Sequence, residues 1–511
     1  MAKSWGVSGA ALVAGMLPAL AFPEADLVGL AMVGLVPALL LVRGAPSAWS
    51  AALRGWCAGT GFVAAVHHWL IPSLGPFALV VFPVVGLTWV PWSVIARQLL
   101  RGRPAPLRLA AALVVVPAAF VLGEVARALP VLGGPFGLLG SSQEGSPLLG
   151  LAAVGGVWLV GFVAVAMNVC VAAAALPGVP GRGRLGAVAL AGGLFALGPL
   201  STVALRPNPP SSPQRSSIQV AGIQVGVVRG PAARLSRHLD ATAALAGSGT
   251  DLIVWGESSV GRVAGPKVIA RIVAAARDTG SPLLVNVDAR RGRGGGGIFK
   301  TSVLIDADGV VGRYDKTRLV PFGEYVPLRA ALGWLARVSD AAEEDRRRGD
   351  GPVLLALDGL SVGPLICFES AFPDLARDLV SRGADLLVVQ SATTTFQDSW
   401  GQAQHAALAA VRAAETGRPV IHVALSGVSA VFDARGRRLV AMGGRATGAM
   451  RATLPLGTGT TPYVRFGDWV PLGSALAVGG FLAGSGTLRH RRSVLEVTRE
   501  RGSNQRHHRG A

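Results

Sequence analysis

Charge is the scarcest commodity of this chain: only 15% of its 511 residues are charged, while 51% are hydrophobic. A soluble domain averages about 25% charged residues. So few charges cannot wet an ordinary globular surface, and so much apolar mass excludes disorder. Cysteine is scarce too, with Cys57, Cys170 and Cys367 only. Three thiols cannot pair off and no C-x-x-C spacing occurs, so neither a disulfide scaffold nor a zinc site is expected. No cofactor is expected either. Lysine is nearly as rare, for a chain of net charge +19: Lys3, Lys267, Lys300 and Lys316 are the whole set, and arginine supplies the rest. No internal repeat points to a solenoid.

What is present is a series of apolar runs, each near the ~20 residues that cross a bilayer. Spans are expected at roughly 6–22, 25–42, 52–72, 76–96, 107–126, 149–177, 185–204 and 469–488, eight in all. The abundance of Gly (69) and Pro (33) suits such helices. Basic residues fall in alternate connections: Arg43 and Arg54 after the second span, Arg97 to Arg108 after the fourth, Arg182 and Arg184 after the sixth, and Arg489 to Arg509 after the eighth. Short basic loops stay cytoplasmic, so both termini face the cytoplasm and everything between the seventh and eighth spans lies outside. Arg127 is the one exception. Lys3, the first apolar run and Ala19-Leu20-Ala21 also fit a cleavable signal peptide, which leaves the sidedness of the rest unchanged. The basic tail fits attraction to anionic lipid, and no nucleic-acid partner is expected.

The Pro/Ser-rich stretch from Arg206 to Arg215 cannot continue a helix and marks a boundary. Beyond it, short apolar runs at 218–225, 252–255, 283–287, 365–367, 386–389 and 420–425 alternate with helix-compatible segments near 231–247, 266–279, 371–383 and 402–416. Asp306–Gly309 and Asp433–Gly436 signal hairpins. Continuous apolar strands alternating with helices mean a sheet buried on both faces, hence an α/β domain. The expected division is a helical membrane domain at 1–205, a linker at 206–216, the α/β domain at 217–460, a final span at 461–488 and a basic tail at 489–511.

Three side chains fall where strands run out: Glu257 after Leu252–Trp255, Cys367 after Gly363–Ile366, and Lys316 after the first hairpin. Ligands meet open α/β sheets at the carboxyl ends of strands, so these residues are candidates to converge. A thiolate is the strongest nucleophile here, a desolvated carboxylate suits a general base, and an oxyanion requires a fixed cation. Taken singly, a Glu after a strand is ordinarily a cap or a surface group, a Lys after a hairpin is ordinarily solvated, and a free Cys is ordinarily packing. His405 is the alternative base, though its Ala/Leu-rich setting suits an interface or a backbone partner. His67-His68, with Trp69 beside them, suit an interfacial belt. Glu124 and Arg127 are the main intramembrane charges, too few and too near a span end for a transport path.

The order Trp255-Gly-Glu257-Ser, then Tyr314-Asp-Lys316-Thr-Arg-Leu-Val-Pro-Phe-Gly-Glu324-Tyr-Val-Pro327, then Ile366-Cys367-Phe-Glu369, resembles the nitrilase superfamily of carbon–nitrogen hydrolases. With the spans around it, and with Thr461–Trp469 leading into the last one, the whole chain looks like the bacterial apolipoprotein N-acyltransferase family. The resemblance implies an α-β-β-α sandwich, with Cys367 as nucleophile, Glu257 as general base, Lys316 as oxyanion-stabilising cation, and Glu324 and Glu369 as supporting carboxylates. It also implies a phospholipid acyl donor, a thioester intermediate and a diacylated lipoprotein whose N-terminal amine accepts the chain, in a monomeric enzyme of the bacterial plasma membrane. The Pro321–Pro327 segment is a candidate lid. Three places depart from the family pattern: Gly256 replaces a proline, Ser391–Phe396 replaces a polar Trp-containing stretch, and Ser426-Gly427 replaces Asn-Gly. The competing readings are a membrane-tethered amidase acting on a small amide, and a transporter or scaffold whose outer domain merely binds.

Overall fold

The computed structural model describes residues 2–176, 179–204, 216–261, 265–290, 297–326, 329–333 and 344–485. The expected linker thus falls almost wholly outside the described residues, as do the basic tail and the end of the candidate lid at Pro327.

Among the described residues, four helical stretches are long and apolar enough to cross a membrane: His68–Leu100, Pro106–Arg127, Pro147–Ala174 and Gly181–Ala204. Gly6–Ala21, Leu30–Arg43 and Trp469–Ser485 are shorter apolar helices. Their outer faces expose large aliphatic side chains, among them Leu79, Leu107, Leu185, Leu200 and Leu476. A surface of that kind suits hydrocarbon and not water. The intervening helix Ala48–Val66 buries Ala51, Gly55, Ala58 and Gly59, small residues that let helix backbones approach closely.

This bundle has two distinct ends. At one, Arg43 donates to Leu100 O at 2.9 Å, Arg97 to Ala45 O at 2.7 Å, Arg54 to Leu41 O at 2.6 Å and Arg108 to Leu99 O at 2.9 Å. These guanidiniums satisfy carbonyls that helix ends leave unpaired. At the other end of Ala48–Val66, Trp69 Nε1 donates to Gln404 Oε1 of the α/β domain at 3.1 Å. The arginine-rich connections and the α/β domain therefore lie at opposite ends.

The α/β domain is built on twelve strands: β1 (Ser217–Gln224), β2 (Leu252–Trp255), β3 (Leu283–Arg290), β4 (Ile298–Ile305), β5 (Val310–Asp315), β6 (Leu355–Leu357), β7 (Leu360–Ile366), β8 (Leu386–Ser391), β9 (Val420–Ala424), β10 (Ser429–Phe432), β11 (Arg438–Met442) and β12 (Gly448–Pro455). They form two six-stranded sheets, ordered β12-β1-β2-β3-β4-β5 and β11-β10-β9-β8-β7-β6. The central strands are parallel (β1–β2–β3 in one sheet, β7–β8–β9 in the other) and the outer ones antiparallel. Every residue of β2, β8 and β9 is buried, as continuous apolar runs require.

The sheets face each other across a core of Val220, Val254, Leu284, Val362, Val388 and Ile421. Helices Pro231–Ala243 and Pro266–Thr279 cover the outside of the first sheet. Helices Pro373–Ser381 and Trp400–Thr416 cover the second, and their far side packs on Val121, Leu138, Val157 and Val160 of the apolar half. The expected α-β-β-α sandwich is what the chain forms, with one helical layer shared with the membrane half. That junction is polar as well: Val157 N donates to Glu415 Oε1 at 2.7 Å, and Arg377 pairs with Asp468 at 2.8 Å. Gly156 sits there at φ +69° against the Tyr463 ring, where a Cβ would come within 2.6 Å of the ring. Only glycine fits this kink.

Candidate active site

Strand ends deliver the three expected residues to one place. β2 ends at Trp255, and Glu257 follows with its N–H bonded to Ser391 O at 3.1 Å. Gly256 between them packs on the β9 end: a Cβ would lie 2.2 Å from Leu425 N. The close backbone approach accounts for glycine where the family pattern has proline, and it holds the turn tightly. Ser258 then takes φ +56°, and its N–H is held by Asn286 Oδ1 at 2.8 Å. β7 ends at Ile366, and Cys367 turns at φ +54°, a left-handed conformation uncommon outside glycine. Strain of this kind persists where the surroundings over-determine it. Here Glu369 does so: Oε2 accepts from Ile366 N at 2.8 Å, while Oε1 accepts from Tyr314 Oη, Thr317 N, Thr317 Oγ1 and Arg318 N at 2.6–3.0 Å. One buried carboxyl thereby ties the Cys367 elbow to the segment carrying Lys316.

Lys316 is completely buried. Its Nζ lies 2.9 Å from Glu324 Oε1 and 3.3 Å from Glu257 Oε1. Glu324 Oε2 in turn accepts from Val320 N at 2.8 Å, which anchors the loop after Lys316. The half-buried Cys367 thiol lies beside the Glu257 carboxylate and the Ala392 backbone N–H. Lys316 therefore bridges Glu257 and Glu324, and Cys367 lies within electrostatic reach of all three. Glu369 stands behind them, bonded to backbone N–H groups and two hydroxyls.

Lysine rarity pointed to Lys316 and applied equally to Lys300, which the motif reading passed over. Lys300 lies in β4 opposite Asp288 of β3. Its Nζ is 3.0 Å from Glu257 Oε1, nearer than Lys316, and 2.9 Å from Ser258 Oγ. The two lysines are also joined by their backbones, Lys316 N donating to Lys300 O at 2.9 Å.

Burial alone would raise the Glu257 carboxyl, but the two ammoniums outweigh it and hold it at about 2. Burial would lower both lysines, yet the surrounding carboxylates lift each above its ordinary value. The Cys367 thiol is pushed up to about 12, by desolvation first and then by Glu257, with Lys316 opposing. The resting site thus holds a neutral thiol beside an ionised carboxylate.

His405 takes the backbone partner: Nε2 is 3.0 Å from Cys367 O. Burial lowers its pKa. Its ring lies 6.1 Å from that of Phe136, which belongs to the connection between two apolar helices. Phe368, next to the thiol, covers Gly134 of the same connection. Phe396, in the stretch that departs from the family pattern, meets Trp69 edge-on at 4.6 Å. Phe368, His405 and Phe396 therefore all face the apolar half. Among the described residues no group of His, Cys, Asp and Glu is arranged to hold a metal.

A carboxylate, an ammonium and a thiol at the ends of strands from two facing sheets define the class, a carbon–nitrogen hydrolase domain, and a model of that description matches residues 219–461. A second model, described as the apolipoprotein N-acyltransferase N-terminal domain, matches residues 14–170. An apolipoprotein N-acyltransferase of Azotobacter vinelandii is 32% identical over 499 residues, covering 92% of this chain and 93% of its own. One of Pseudomonas aeruginosa is 31% identical over 500 residues, covering 91% and 93%. A crystal structure of a CN-hydrolase superfamily protein from Xanthomonas campestris aligns with 47% of this chain and 91% of its own, at TM-score 0.38 and 20% identity. The chain belongs to the apolipoprotein N-acyltransferase family, a family of membrane acyltransferases.

Proposed function

We propose that this enzyme moves a fatty acyl chain from a phospholipid, through a thioester on Cys367, to the α-amine of a diacylglyceryl-cysteine lipoprotein. The observation that carries the reading is the seat of Cys367: its chain neighbour Phe368 and His405, which bonds the Cys367 backbone carbonyl, both rest on the 134–136 connection of the apolar half. A nucleophile for soluble amides has no use for such a floor, whereas a lipid ester reaches it from the bilayer. An apolar floor also holds back the water that would hydrolyse a thioester.

In the first half-reaction the Cys367 S–H proton passes to Glu257 as the sulfur attacks the ester carbonyl. Negative charge leaves the sulfur for the oxyanion beside Lys316, which offsets the poor match between a thiol near 12 and a carboxylate near 2. The C–O bond breaks and the lysophospholipid alkoxide takes the proton from Glu257. In the second half-reaction the lipoprotein amine attacks the thioester and gives its proton to Glu257, the C–S bond breaks, and the thiolate recovers the proton. Glu324 holds Lys316, and Glu369 holds the elbow.

The same reading divides the chain into a membrane domain at 1–205, a linker at 206–216, a catalytic domain at 217–460, a final span at 461–488 and a tail at 489–511. It takes eight spans, both termini cytoplasmic, the catalytic domain outside, and a monomer. The Arg43, Arg54, Arg97 and Arg108 contacts at the end of the bundle remote from Trp69–Gln404 support that sidedness.

Mixing purified enzyme with phospholipid and a diacylated lipopeptide tests it. Equal amounts of triacylated peptide and lysophospholipid are expected. Release of ammonia or carboxylate from small amides, with no transfer to the peptide, would overturn the reading.

A further inference from the structure

Three carboxylates, Glu257, Glu324 and Asp288, crowd the mouth of the site, and Lys316 touches only the first two. Like charges this close do not all stay ionised beside a single cation; one takes up a proton. Lys300 reaches all three, at 3.0 Å from Glu257, 3.6 Å from Asp288 and 3.9 Å from Glu324, with its side chain only 12% exposed.

We propose that Lys300 is a positioning residue of the transfer site, whose ammonium keeps the Glu257 carboxylate ionised and turned toward the Cys367 thiol. The inference rests on the assignment of Glu257 as base and Cys367 as nucleophile. The backbone fixes the geometry. Cross-strand register sets Lys300 opposite Asp288, which pairs with the ammonium from one side, while Ser258 Oγ accepts from it at 2.9 Å on the other. Ser258 is itself held left-handed by Asn286, so the ammonium grips a turn that has no slack. Both lysines bind the same oxygen of Glu257, Oε1. A carboxylate clamped at one oxygen by two cations keeps the other for the thiol.

The sign of the consequence is fixed. The charged and titratable groups facing Glu257 are Lys300 from β4, Lys316 and Glu324 from the segment after β5, Cys367 after β7, Asp288 from β3 and His405 from helix Trp400–Thr416. Removing the nearest cation leaves three carboxylates on one ammonium and raises the pH at which Glu257 takes up a proton. A protonated Glu257 cannot accept the thiol proton. The acid limb of thioester formation therefore moves upward, with the rate falling about tenfold per pH unit below it.

The test uses the full-length protein in detergent, mixed micelles of phosphatidylethanolamine and phosphatidylglycerol, and the rate of fatty-acyl adduct formation at residue 367 between pH 4.5 and 8. The wild-type rate is expected to stay level on the acid side. Lys300→Met and Lys300→Gln are expected to lose about tenfold or more between pH 7 and pH 5. Lys300→Arg keeps the charge and restores the level profile, even if the altered geometry slows every point. Lys300→Gln retains hydrogen bonding, so it serves should Lys300→Met fail to fold. Level profiles in both uncharged variants would overturn the inference. A wild-type enzyme that forms no adduct at residue 367 would overturn the underlying assignment instead.

Discussion

The membrane half buries Glu124 against Arg127, and the catalytic domain buries Glu257 against Lys300 and Lys316, yet the two sets direct their bonds differently. Arg127 donates to Phe136 O and Gly137 O at 2.7 and 2.8 Å, and Glu124 accepts from Leu139 N at 2.6 Å. The ion pair itself is long, 3.4 Å. These charges fold a connection, and their partners are backbone. Around Glu257 the partners are side chains: two ammoniums, a thiol and, through Lys316, a second carboxylate. Glu369 is nearer the first kind although it stands beside the second, since three of its five donors are backbone N–H groups, of Thr317, Arg318 and Ile366, and the other two are the Thr317 and Tyr314 hydroxyls. A buried charge bonded to backbone holds a shape. One bonded to other ionisable side chains has a proton equilibrium to control.

Substitutions sharpen that contrast when transfer rate per folded molecule is set beside thermal stability. Cys367→Ala removes the atom proposed to carry the acyl chain and should lower transfer by about 10³-fold or more, with little change in melting temperature. Glu257→Gln should slow thioester formation by about 10²–10⁴-fold while donor binding persists. Glu369→Gln turns an acceptor into a donor facing Ile366 N or Thr317 N. It should cost about 1–3 kcal/mol of stability and slow transfer more modestly, through a loosened elbow. Glu124→Gln reverses the balance: breaking a buried pair is expected to cost about 3–5 kcal/mol, with transfer by the surviving folded enzyme changed least of these four. If Glu124→Gln lost transfer as completely as Glu257→Gln without losing stability, the contrast would fail. Melting curves and acyl-adduct rates, measured on the same preparations, decide each case.

Most of the site was legible because its chemistry follows the ends of apolar strands. Leu252–Trp255 and Leu386–Val389 announce themselves by continuous hydrophobicity, and the residues just beyond them are where the sheets open. Lys300 was not legible in the same way. It sits inside β4, not at its end, and its relation to Glu257 depends on a cross-strand register that no local pattern encodes. The edge strands β6 and β12 were also missed, the first despite Asp358-Gly359, whose φ values of +43° and +79° make the two-residue turn that an Asp-Gly pair favours. In the membrane half, composition located the apolar runs but not their continuity. Helices break at Leu17-Pro18 and again at Gly34, so the first two runs form short helical pieces in place of long rods.

Everything turns on the sulfur of residue 367. Wild-type protein exposed to phospholipid in the absence of lipopeptide, then digested and mapped by mass spectrometry, should carry one fatty-acyl group on the peptide containing Cys367, released by hydroxylamine and discharged when lipopeptide is added. An unmodified Cys367 peptide under conditions where lipopeptide is nonetheless acylated, or an acyl group lodged on Cys57, Cys170 or a lysine, would contradict the account.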